Sequence, residues 1–104
     1  MNAIRASSER LEAVYRIPAR TAREPLERAL VEACRRHRAA PGEATVTVDR
    51  PTGDAASATL TVATSLPGST EHRGRDAFLR DVATILDEAA PGAWQRVGLR
   101  LTAD

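Results

Sequence analysis

One unit that occurs twice limits the fold more than any other feature of this chain. Ile17-Pro18 leads through a helical stretch to Ala39-Ala40-Pro41-Gly42 and then to a strand. Leu66-Pro67 leads through a second helical stretch to Ala89-Ala90-Pro91-Gly92 and another strand. The segments Pro18–Pro41 and Pro67–Pro91 differ in length by one residue. Ala-Pro-Gly by itself is a generic helix stop in an alanine-rich chain. The constraint lies in the recurrence of the whole order: strand, proline, helix, stop, strand.

The individual elements follow from side-chain periodicity. Leu11, Ala13, Tyr15 and Ile17 alternate with Glu12, Val14 and Arg16, the mark of a half-buried strand; a short helix on Leu11, Val14 and Tyr15 is the rival reading. Pro18 stops either element. Leu26, Ala29, Leu30, Ala33, Cys34 and His37 recur at helical spacing. That helix starts either at a capping box, Thr21 to Glu24, or three residues later at Glu24, with Pro25 in the first helical position. Its other face carries Glu24, Arg28, Glu32 and Arg36 at four-residue steps.

Glu43 to Asp49 and Ser57 to Leu66 read as a hairpin across the turn-rich loop Arg50 to Asp54. Ala44, Val46 and Val48 share one face of its first strand. Ala58, Leu60, Val62 and Leu66 share one face of its second, and Thr59, Thr61, Ala63 and Ser65 share the other. A second helix spans about Arg75 to Ala90, with Phe78, Val82, Ile85, Leu86 and Ala89 as its stripe and Leu79 on the shoulder. The last strand, Trp94 to Thr102, turns Val97, Leu99 and Leu101 inward and Arg96, Gly98 and Arg100 outward.

The order β-α-β-β-α-β is the split-βαβ, ferredoxin-like pattern: a two-layer α+β sandwich with one four-stranded antiparallel sheet and both helices on one face. If the first strand were a helix, the remaining elements would still form a two-layer α+β sandwich. With 104 residues, 42% apolar and 28% charged, the chain is expected to be a single globular domain over residues 9–104, behind a disordered tail at 1–8.

Several function classes drop out on composition. A net charge of +1 provides no field for steering onto nucleic acid or an anionic membrane. No run approaches a membrane span, and the N-terminus lacks a signal peptide's apolar stretch. The single cysteine, Cys34, excludes an intrachain disulfide and suits a reducing, cytoplasmic compartment. All fifteen basic residues are arginine. That pattern fits either a high-GC bacterial genome or selection of guanidinium for planar anion contacts.

No glycine-rich phosphate loop, Walker lysine or Cys-x-x-Cys pair is present, and no cofactor is implied. Cys34 and His37 can share one side of a helix, but a zinc site needs further ligands. Core packing accounts for both residues, so no metal is expected. Arg35, Arg36, His37 and Arg38 fan round a helix end and complement its dipole. An RNA-recognition motif shares the strand order but needs stacking aromatics on its central strands. Those positions here hold Glu12, Val14, Arg16, Thr59, Thr61 and Ala63.

The leading expectation is a small binding or assembly module that contacts a protein partner or a small anion. It would be a homo-oligomer through the outer sheet face, which carries Val14, Ala63 and Trp94 at its edge. An enzymatic role is the less favoured one. It would take the form of a cofactor-independent dimeric oxygenase or isomerase with His72, Tyr15, Glu71 and Asp76 as acid–base groups. An arginine-mediated nucleic-acid accessory role stands behind both. The expected anion site takes the first and third strands as adjacent and parallel, so that two strand-to-helix junctions adjoin. These junctions carry Arg20, Thr21 and Arg23, and Ser69, Thr70, His72, Arg73 and Arg75, each entering a helix N-terminus. Glu24, Glu71 and Asp76 offset them.

Overall fold

The computed structural model describes residues 8–37, 45–49, 56–67 and 73–103. Its elements run β1 (Ser8–Pro18), α1 (Arg23–His37), β2 (Thr45–Asp49), β3 (Ser57–Pro67), α2 (Arg73–Ala89) and β4 (Gln95–Ala103). The strands form one antiparallel sheet in the order β2-β3-β1-β4, the ferredoxin-like arrangement. Each of the two crossovers therefore steps over one strand. β1 and β2 flank β3, and β3 and β4 flank β1.

Residues 10–17 are strand, which settles the choice against a helix. Leu11, Ala13, Tyr15 and Ile17 are buried under the helices, and Ala58, Leu60, Val62 and Leu66 of β3 lie beside them. Leu26, Leu30, Ala33 and Cys34 of α1 close the core, together with Phe78, Val82 and Leu86 of α2. Tyr15 and Cys34 are the only ionisable side chains in the sixteen-residue cluster, so burial of apolar surface is its main support. Ala63 is also buried although it points to the other side of the sheet; it is flanked by Glu12 and Thr45 on its two neighbouring strands.

The second helix stop is resolved in detail. Ala90 N–H still bonds Leu86 C=O at 2.8 Å, and Ala93 N–H closes back on Ala90 C=O at 3.0 Å. Pro91 and Gly92 occupy the centre of that turn, with Gly92 at φ +68°, the pattern of a type II turn. This geometry rotates the stripe by one residue at its end: Ala90 is buried and Ala89, expected inward, is exposed. The first Ala-Ala-Pro-Gly, at 39–42, and the hairpin loop at 50–54 lie outside the described residues, as do residues 1–7 of the expected tail. β1 itself begins at Ser8.

Thr64 faces Leu11 across the β1–β3 ladder and is fully buried, and among the described residues its hydroxyl has no hydrogen-bond partner. A buried unsatisfied hydroxyl costs about 1–3 kcal/mol. Thr64→Val is therefore expected to raise the melting temperature by several degrees, about 4–8 °C per kcal/mol for a domain of this size. Calorimetry showing a lower melting temperature would mean that the hydroxyl has a partner.

Candidate functional site

The expectation of two adjoining junctions rested on a parallel β1–β3 pair, and the sheet overturns it. β1 and β3 are antiparallel, with Pro18 opposite Ser57 and Ser8 opposite Pro67. In a hairpin-joined βαββαβ sheet, β3 must run against β2 and hence against β1. The two strand-to-helix junctions then lie at opposite ends of an eleven-residue strand. At about 3.3 Å per residue, that is roughly 33 Å apart.

Arg20, Thr21 and Arg23 of the expected site are therefore not brought together with Arg73 and Arg75. At the first junction, Thr21 donates both its backbone N–H (3.0 Å) and its hydroxyl (2.7 Å) to Pro18 C=O. The Arg23 Nε donates to Glu27 Oε1 at 2.8 Å, one turn along α1. Arg20 is exposed and borders, with Thr21 and Pro91, an open hollow of about 290 Å³. Arg73 and Arg75 stand in the first turn of α2. Ser69, Thr70, Glu71 and His72 lie outside the described residues. Of the acid–base candidates, Tyr15 is in the core and Asp76 is exposed on the first turn of α2.

Between the helices, Asp81 of α2 accepts from Arg36 Nη2 at 2.7 Å, and His37 Nε2 lies 3.1 Å from the same oxygen. The His37 ring meets Phe78 edge-on at 5.7 Å. The cluster clamps the C-terminal turn of α1 to α2. Cys34, one turn back, is fully buried, as its place on the stripe requires.

The open chemistry of this molecule lies along β4. β1 pairs with β4 in register from Glu9↔Ala103 to Val14↔Gly98, and then the register slips, so that Tyr15 faces Arg96. Val97 is the extra residue of a β-bulge. The slip turns Arg96, expected on the outer face, to the helix side beside Tyr15. Trp94 lies on that side too, not at the edge of the outer face. Its ring meets Tyr15 edge-on at 5.9 Å, and its Nε1–H donates to Asp87 Oδ1 of α2 at 2.8 Å. Tyr15, Trp94 and Arg96 thus form, with Leu79 and Ala83 of α2, a groove of about 380 Å³. Burial raises the Tyr15 pKa above that of a free phenol, and the nearby Arg96 guanidinium only partly opposes this. Tyr15 is accordingly a poor proton acceptor at neutral pH.

Beyond the bulge, Leu99 and Leu101 pair with the buried Ala13 and Leu11 and so share the helix side. They were expected to be core. Instead Val97, Leu99 and Leu101 are 48%, 42% and 38% exposed. The alternation was legible, but two helices do not reach across a fourth strand, and periodicity cannot report that. Among the described residues no three His, Cys, Asp or Glu side chains are grouped to hold a metal, and no helix is long and apolar enough to cross a membrane. No family model, curated protein or solved structure matches the chain.

The interhelical clamp has a defined pH signature. Hydrogen bonding from Arg36, followed by that from His37, holds the Asp81 carboxyl below the ordinary aspartate value, against the opposing effect of burial. A carboxylate with a depressed folded pKa contributes stability above its unfolded value near 4, and that contribution is lost as pH falls through the folded pKa. Asp81→Asn is expected to cost about 0.5–1 kcal/mol at pH 7, the range of a partly exposed pair. Urea unfolding at pH 7 and pH 3 should show the difference shrinking at acid pH; an equal cost at both would contradict the clamp.

Proposed function

We propose that this chain is a small binding and assembly module that works as a homo-oligomer, with a second copy of the chain as its partner along β4. The observation that carries the reading is the triplet Val97, Leu99 and Leu101, each more than a third exposed on a strand that, among the described residues, pairs on one side only. An unpaired edge with large apolar side chains is the feature monomeric proteins avoid, because it templates strand addition.

The sequence of β4 also suits pairing with itself. A two-fold antiparallel ladder centred on Leu99 sets Leu99 against its own copy. Val97 then faces Leu101, and Gly98 faces Arg100. No like charges meet in this register, and the bare Gly98 leaves room for the guanidinium across from it. A register shifted to centre on Arg100 would set two arginines face to face. The outer sheet face, first considered as the seam, is the weaker choice. Ala63 on it is buried, Trp94 is not on it, and the exposed residues of β2 and β3 there are Thr45, Thr47, Asp49 and Thr59. A soluble, cytoplasmic setting suits a chain with a single, buried cysteine, Cys34, and belongs to the same proposal.

Light scattering across micromolar concentrations tests the reading. The expected particle has twice the 11.2 kDa chain mass. Leu99→Lys should weaken association at least about tenfold, since a charge would be buried in the seam, with an unchanged circular dichroism spectrum because Leu99 is already half exposed. A wild-type monomer throughout, or a Leu99→Lys dimer as tight as wild type, would overturn the reading.

A further inference from the structure

We propose that the groove between α2 and the Trp94 end of β4 binds a small organic monocarboxylate with a flat apolar body. Three independent features of the groove point to that chemistry. Its size, about 380 Å³, is at the lower end of small-ligand sites and takes one ring with a short acid group. Its surfaces are the rings of Tyr15 and Trp94 and the aliphatic side chains of Leu79 and Ala83, which suit a planar apolar body better than a hydrated ion. Its one charged lining residue is Arg96, whose guanidinium matches a carboxylate in a two-pronged contact.

The charges nearby sharpen the assignment. Among the described residues Arg96 makes no ion pair with a carboxylate, unlike Arg23, Arg35 and Arg36. The acid closest to the rings, Asp87, is taken by the Trp94 indole N–H. That bond fixes the tryptophan ring as a wall of the groove. Tyr15 is buried with its phenol held protonated, so it can donate to an acid oxygen placed beside Arg96. The β-bulge is what assembles the site. Had the register run on without the slip, Val97 would pair with Tyr15, and Arg96 would lie opposite Arg16 on the far face of the sheet.

The groove is built within one chain, so this proposal goes beyond the homo-oligomer and does not need it. Trp94 is the sole tryptophan, and its fluorescence reports the site directly. Benzoate is the probe, with benzyl alcohol, acetate and inorganic phosphate as controls, each titrated into the wild type and into Leu99→Lys. Saturable change with benzoate is expected in both proteins, with the three controls at least about tenfold weaker. Arg96→Gln should weaken benzoate about tenfold or more, the worth of a charge-assisted contact. Ala83→Leu should weaken it by filling the groove, and thermal unfolding of both variants should confirm their fold. Several results would overturn the proposal: no saturable response to benzoate, equal binding of phosphate or benzyl alcohol, or full affinity in Arg96→Gln. Loss of benzoate binding in Leu99→Lys alone would also overturn it, because the site would then lie between copies.

Discussion

β1 is the strand on which both crossovers close, and its inward row, Leu11, Ala13, Tyr15 and Ile17, holds the two halves of the sheet under one core. Burying that row fixes the register on both sides, because a one-residue slip would turn four apolar side chains to water and bring Glu12 and Arg16 inside. On the β3 side the register runs unbroken from Ser8 to Pro18. On the β4 side the same row cannot be matched to the end. Beyond Ala13 the chain inserts Val97, and from there Tyr15 is matched by Arg96 rather than by an apolar residue. The uncovered strand and the groove both follow from how β4 meets β1.

The arrangement is lopsided for a geometric reason. Two helices packed against each other cover a width of about 20 Å, given interaxial distances of 8–10 Å and diameters of 10–12 Å. Four strands spaced about 4.8 Å apart, with their side chains, are of similar or greater width. α1 rests against β2 and β3 and α2 against α1 and β3, so the shortfall falls on β4. Leu99 and Leu101 stand beside buried partners and still face solvent. Continuing the sheet with a second copy would cover that side without any change in the fold.

Much of this was written in the sequence. Alternation through Leu11 to Ile17, the helical stripe from Leu26 to Cys34 and the Pro91-Gly92 stop each declare themselves by local rules, and together they impose the strand order. Three things were not legible. The bulge at Val97 has no turn residue to mark it, so Arg96 reads as outward when strict alternation is assumed. Exposure of Leu99 and Leu101 depends on the reach of helices distant in sequence. The composite anion site failed for a different reason. Strand direction was not carried through the hairpin, which forces β3 to run against β1. Thr64, on the inward row by parity, is the small anomaly that periodicity hides, since a lone hydroxyl in a threonine-rich strand draws no notice.

The central claim is that β4 is an interrupted sheet waiting for its fifth neighbour. Amide hydrogen exchange, followed residue by residue at several protein concentrations, tests it most directly. Amides of β4 that face away from β1 have no ladder partner among the described residues and should exchange quickly when dilute. The account predicts that their protection between Gln95 and Ala103 rises with concentration, while the amides shared with β1 stay protected throughout. Rapid exchange of the outward amides at every concentration would contradict it, and so would strong protection that does not change on dilution.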